Sequence, residues 1–400
     1  MKPAAIAGFF MSYFTSKPIF IDMRYFLTAL SSFSLLLGAC AITPANTTLT
    51  DTTGLSGSME PVFFATNRLP SPDQRLRFTG DRDIKVHYGK TDIWIPDGVH
   101  SGFVSYPKKS VKPEKHYAMA GYRDINGDET FLVEINQALD TLPAGEEKVV
   151  FIYTHGFRIP FGHGLFRHAQ IAHDFESEGV SLFFSWPSAG ETTKYLYDKE
   201  STLLARDEFA ELLTLLSKSN ASRISIMAHS MGVNLTMEAL RTLSLKGEDH
   251  ILKKISPLML AAPDIDQDFF KDQIRDVRPL PDPAMVFVSD KDRALQLSQL
   301  LRGGHPRVGE GEDITALRAL GLFVVDMSDF DDSQYRDNHD AFASSPTLLR
   351  MIQNQQLSRD TLLAAEADES RESGAASLQG LLQSVIFLPF RVMEEANDPK

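Results

Sequence analysis

The sequence predicts an α/β domain built on a mostly parallel, doubly wound sheet, and three observations carry that reading. Beyond Gly145, short apolar runs without polar alternation recur, the pattern of strands buried on both faces. Most of these runs are followed by a stretch with helical spacing. The chain has 400 residues, 43% of them hydrophobic and 23% charged, enough to bury a large core and too mixed for a collagen-like, low-complexity or wholly disordered protein.

Taken in order, the chain opens with a processing signal. In "MRYFLTALSSFSLLLGAC" one basic residue, Arg24, precedes an apolar run of about fifteen residues, the length of a signal-peptide core and short for a membrane span. Leu37-Gly38-Ala39-Cys40 resembles the bacterial lipobox, so residues 1–39 are expected to be a lipoprotein signal peptide. Cys40, the only cysteine, would then carry the acyl (palmitate-type) anchor. Ala41 follows, not the aspartate that retains lipoproteins at the inner membrane, and the expected location is the outer membrane, facing the periplasm. Met23 followed by Arg24 makes a more ordinary n-region than residues 1–22 do, which leaves Met1 and Met23 as alternative starts. Residues 40–58, rich in Thr, Ser, Gly, Asn and Asp, read as a flexible tether.

A folded body is expected over 59–350. "PVFFATNR" from Pro61 and "IKVHYGKTDIWIP" from Ile84 read as strands, while "FLVEINQAL" from Phe131 fits a strand or a helix start. The alternation then begins with the strand "KVVFIYTHGF", the helix "GLFRHAQIAHDF" with Phe166, Ile171 and Phe175 on related faces, and the strand "VSLFFSWPSAG". One long amphipathic helix is expected over "ESTLLARDEFAELLTLLSKS", then the strand "RISIMAHS" and the helix "MGVNLTMEALRTL". The strands "ISPLMLAAPDID" and "AMVFVSDKD", the helix "RALQLSQLL" and the strand "GLFVVDMSD" complete the set. Residues 351–400 read as the rest of a closing helix, an acidic small-residue linker over 365–376, and an apolar tail expected to pack on the domain.

Several function classes are excluded early. A net charge of −13 offers no general attraction to nucleic acid. A lone cysteine excludes a disulfide framework and a thiolate-rich metal cluster. Asp264-x-Asp266-x-Asp268 begins like a calcium loop, but its sixth position is Phe269 and its twelfth Arg275, where such loops need glycine and glutamate. No metallohydrolase, phosphate-loop or dinucleotide motif is present, so neither metal nor cofactor is expected.

The chemistry-bearing pattern is Ala228-His229-Ser230-Met231-Gly232, placed where a short strand meets a helix. Small residues flank such a turn because strand and helix approach closely there. A serine hydroxyl hardly ionises at neutral pH and needs an imidazole to take its proton. His339, in "RDNHDAF" after the final strand, is the expected base. Its carboxylate partner is expected to be Asp292, with Asp290 as neighbour and Asp264 or Asp266 as fallbacks, giving the chain order Ser, Asp, His. The oxyanion donors are expected to be the N–H groups of Met231 and Phe157, the latter after His155-Gly156. His155 and His229 read as structural residues. Arg158 could meet an acidic substrate group or pair with a surface carboxylate, and Trp186-Pro187 could form a pocket wall or pack in the core.

These motifs, "VFFATNR", "HYGKTDIWIP", "THGF", "FSWPS", "AHSMG", "LAAPDID" and "SDKDRAL", with a histidine after the last strand, resemble in order the α/β-hydrolases of unknown function grouped as DUF900, over roughly residues 60–350. The resemblance implies the α/β-hydrolase fold with leading antiparallel strands, and a Ser230, Asp292, His339 triad. The expectation is a lipid-anchored envelope serine hydrolase, of the carboxylesterase or lipase type, acting on small-molecule or lipid esters through an acyl-enzyme. A base with an ordinary pKa of ~6.5 implies activity rising through about pH 6 to 7. The competing expectation is a non-catalytic envelope binding or scaffold lipoprotein that retains the fold.

Overall fold

The computed structural model describes residues 42–176, 179–301, 304–328, 341–344 and 362–363. Cys40 and the signal segment, His339, the closing helix after Ser344, the 365–376 linker and the apolar tail lie outside the described residues.

Among the described residues nine strands make a single sheet: β1 (Gly57–Pro70), β2 (Phe78–Pro96), β3 (Ala118–Ile125), β4 (Val149–Thr154), β5 (Val180–Ser185), β6 (Arg223–His229), β7 (Ile255–Ala261), β8 (Ala284–Val288) and β9 (Phe323–Asp326). Their order is β3-β2-β1-β5-β4-β6-β7-β8-β9. β2 runs antiparallel to both β1 and β3, and every later pairing is parallel. This is the α/β-hydrolase arrangement expected from the sequence, antiparallel strands first. The apolar runs are buried on both faces: Val150 and Ile152 of β4 enter one core while Phe151 and Tyr153 enter the other.

The described helices are α1 (Asp128–Asp140), α2 (Phe161–Asp174), α3 (Tyr195–Leu204), α4 (Arg206–Ser217), α5 (Met231–Leu245), α6 (Asp249–Lys254), α7 (Gln267–Asp276), α8 (Arg293–Leu301), α9 (Ile314–Ala319) and α10 (Ala341–Ser344). "FLVEINQAL" resolves as helix, with Phe131, Ile135 and Leu139 buried at helical spacing. α5 is buried nearly all round because it packs against α3, α4 and α7 as well as the sheet.

Three expectations change. The long helix is broken at Ala205 into α3 and α4, with no glycine or proline to announce it. Just before the break, Ser201 and Thr202 hydroxyls donate back to the Tyr197 and Lys199 carbonyls, a competition that bends helices. The strand expected through Asp266 ends at Ala261, and Asp266 instead caps α7, a helix of which only Phe270, Gln273 and Ile274 are buried. The stretch read as a tether lies against the domain from Ile42. Ala45, Asn46 and Thr47 are buried, and Asn46 and Thr47 N–H groups donate to Pro107 and Arg75 carbonyls. Its short polar side chains suit this role, since the Asn46 and Thr47 side chains also bond to neighbouring backbone.

Candidate active site

The parallel register lines up the carboxyl ends of five strands. Thr154 pairs with Ala228, His229 with Ala261, Ala261 with Phe287, and Val288 with Asp326. The segments bearing Phe157, Ser230 and Asp292, and the start of the loop leading to His339, therefore leave one edge of the sheet, where ligands bind in open α/β folds.

Ser230 stands at the β6–α5 turn with φ 53° and ψ −119°, a conformation that costs a non-glycine residue about 1–3 kcal/mol. Backbone bonds hold it: its N–H donates to the Ala261 carbonyl at 2.9 Å, and its carbonyl accepts from Val233 N–H at 3.1 Å. Close packing requires the flanking glycines. A methyl on Gly232 would lie 2.4 Å from the His155 carbonyl oxygen, and one on Gly156 would lie 2.9 Å from Ser230 Cβ. Ala228, where the pattern prefers glycine, fits within the core at no exposure. Only 3% of Ser230 is accessible. Beside it the His229 ring packs on Phe342 of α10, centroids 4.5 Å apart.

Facing the elbow is the turn after β4. His155 is fully buried; its Nε2 accepts from Arg68 Nη2 at 3.2 Å, since a guanidinium can only donate. Its Nδ1–H therefore donates to the Gly156 carbonyl at 2.8 Å. Burial, then the Arg68 charge, hold the His155 pKa well below 6.5, so the ring is neutral and unsuited to general-base work. Trp186 stacks on it with centroids 4.6 Å apart and donates its indole N–H to the His155 carbonyl at 2.8 Å. Trp186 is fully buried, which makes it core support for the turn and not a pocket wall. Among the described residues neither the Phe157 nor the Met231 N–H has a hydrogen-bond partner. Arg158, at φ 60°, donates from Nη1 to Thr192 Oγ1 at 2.7 Å and has no ion pair among the described residues.

The residues that hold this turn were not foreseen. Arg68, 1% exposed, donates to the Ser185 hydroxyl and to the Thr79, Ser188 and Ile159 carbonyls as well as to His155. Burial lowers its pKa to about 9, opposed by Asp198, and leaves it charged at neutral pH. Asp198 of α3 accepts from Arg158 N–H, Ser188 Oγ and Ala189 N–H, and burial raises its pKa. The only signal was "VFFATNR", whose arginine nothing local explains.

The acid candidates separate clearly. Asp292 is 1% exposed and its Oδ1 accepts from Ala294 and Leu295 N–H, both at 3.0 Å, at the start of α8. Asp290 is exposed. Asp264 is committed to Tyr195 OH at 2.6 Å and Ser298 Oγ at 2.7 Å, and Asp266 to its helix cap. No His, Cys, Asp or Glu group able to hold a metal occurs among the described residues. A cleft of about 570 Å³ lined by Arg77, Lys85, His87 and Tyr122 lies along β2 and β3 and includes none of these elbow or turn residues.

A family model described as α/β hydrolase of unknown function (DUF900) matches residues 133–358. No curated protein matches. Among solved structures, an esterase of the fungus Rhizomucor miehei shares 13% identity over 85% of this chain and 94% of its own, with a TM-score of 0.31. An esterase of Pseudomonas putida shares 11% over 82% and 87%, with a TM-score of 0.33. At that distance they carry no weight for activity. The family match, which spans more than half of the chain and contains Ser230, the turn from His155 to Pro160 and the loop bearing Asp292, establishes that this protein belongs to the DUF900 α/β-hydrolases.

Proposed function

We propose that the protein is a serine hydrolase that cleaves carboxylic esters through an acyl-enzyme, anchored in the cell envelope through a lipid on Cys40. Ser230 Oγ bonds to the acyl carbon as His339 takes its proton. The carbonyl oxygen becomes an anion held by the Phe157 and Met231 N–H groups. Collapse releases the alcohol with the proton from His339, and water repeats the sequence to free the acid. Asp292 orients the imidazole.

One observation carries this reading: a strained serine at a strand-to-helix turn, beside two backbone N–H groups that have no partner among the described residues. Strain of this kind persists where the surrounding structure over-determines it, and it concentrates at functional sites. Chain length supports the base. Phe342 packs on His229, and His339 is three residues upstream, a reach of at most about 11 Å. Burial of Asp292 against exposure of Asp290 supports the acid.

The test is a fluorophosphonate probe with an aryl ester assay. Wild-type protein is expected to label and to turn over ester, and Ser230→Ala to do neither. A folded wild type that neither labels nor hydrolyses any chain length would leave only the scaffold reading.

A further inference from the structure

Two buried charges take no part in the steps above, yet their hydrogen bonds converge on one turn. Asp198 Oδ2 accepts the Arg158 N–H at 3.0 Å. Ser188 Oγ accepts the Ile159 N–H at 2.9 Å and donates to Asp198 Oδ2 at 2.5 Å. Arg68 donates to the Ile159 carbonyl at 2.7 Å and to the Ser188 carbonyl at 2.9 Å. Arg158 and Ile159, the two residues after Phe157, are thus gripped from β1, from α3 and from the loop after β5. The turn needs such a grip. Arg158 sits in the left-handed region at φ 60°, which costs a side-chain-bearing residue about 1–2 kcal/mol. Burying a guanidinium and a carboxylate is itself costly and is not repaid by packing alone.

We propose that Asp198 and Arg68, joined through Ser188, are positioning residues for the oxyanion site: they hold the turn from His155 to Pro160 so that the Phe157 N–H stays in place beside the elbow. This rests on the serine-hydrolase reading. A donor displaced by about 1 Å can cost on the order of 100-fold in rate, because the developing charge is met only at its own position.

The experiment uses the full chain with Asp198→Asn and Ser188→Ala. Active sites are titrated with a fluorophosphonate, so that misfolded protein drops out of the count. Turnover of a p-nitrophenyl ester and affinity for an alkyl boronic acid, which forms a tetrahedral anion on the serine, are then measured per titrated site. Both variants are expected to lose about 10- to 100-fold in kcat, and boronate affinity by a similar factor, with KM changed by less than about threefold. Should Asp198→Asn fail to fold, Ser188→Ala, which removes a single oxygen, decides alone. Full kcat and boronate affinity per site, with only a lower melting temperature, would make the network a structural staple and overturn the proposal. A wild type that does not label at all fails differently: it removes the serine-hydrolase reading and this proposal together.

Discussion

The two turns that meet at the sheet edge are held by different means. The Ser230 elbow is fixed by its own backbone: bonds to Ala261 and Val233, and glycines at 156 and 232 whose missing side chains let the turns touch. The turn opposite, from His155 to Pro160, is fixed by side chains that arrive from Arg68, Ser188 and Asp198. Strain held by local backbone tolerates no added atom, whereas strain held by a side-chain network can be loosened by degrees.

Under the proposed mechanism, the largest effect outside Ser230 is expected at Asp292. Asn in place of Asp292 should lower kcat about 10⁴-fold through the wrong imidazole tautomer, while Asp290→Asn should change it less than about threefold. Equal losses would return the acid to the open set. Next comes the backbone-held turn: Gly232→Ala puts a methyl 2.4 Å from the His155 carbonyl and 2.9 Å from that of Thr154, and should cost about 3 kcal/mol or more in denaturant unfolding. Ser188→Ala, on the side-chain-held turn, should cost only about 1–2 kcal/mol. A reversed order would break the contrast.

The smallest effect lies away from both turns. His168 of α2 is buried among Phe151, Tyr153 and Phe183, neither ring nitrogen has a partner among the described residues, and burial lowers its pKa to about 3. A folded pKa below the unfolded value of about 6.5 stabilises fully above that pH and is lost as pH falls towards 3. His168→Phe should therefore melt higher than wild type at pH 5 and show about 1–2 kcal/mol less dependence between pH 7 and pH 5. Parallel pH curves for the two proteins would refute the assignment.

Legibility in the sequence follows the same division. Buried strands such as Val149–Thr154 and Arg223–His229 could be read because both faces are apolar, and the elbow could be read because its geometry needs small residues at adjacent positions. The network that holds the turn from His155 to Pro160 was illegible because its partners stand far apart in sequence: Arg68 bonds Ile159 across 91 positions and Arg158 bonds Asp198 across 40. The break at Ala205 was hidden because hydroxyls, not glycine or proline, cause it. The packed stretch from Ile42 resembled a tether because its contacts are made by backbone and short polar groups, which composition cannot tell from a solvated chain.

Trp186, one of two tryptophans, has an optical consequence. Its indole lies against the His155 ring at 4.6 Å, while Trp94 sits on β2 with its N–H on the Pro113 carbonyl. Intrinsic emission thus has one chromophore at the sheet edge beside the His155 turn and one at the antiparallel margin. A Trp94→Phe background leaves a native fluorophore that reports that edge alone, without any dye or label.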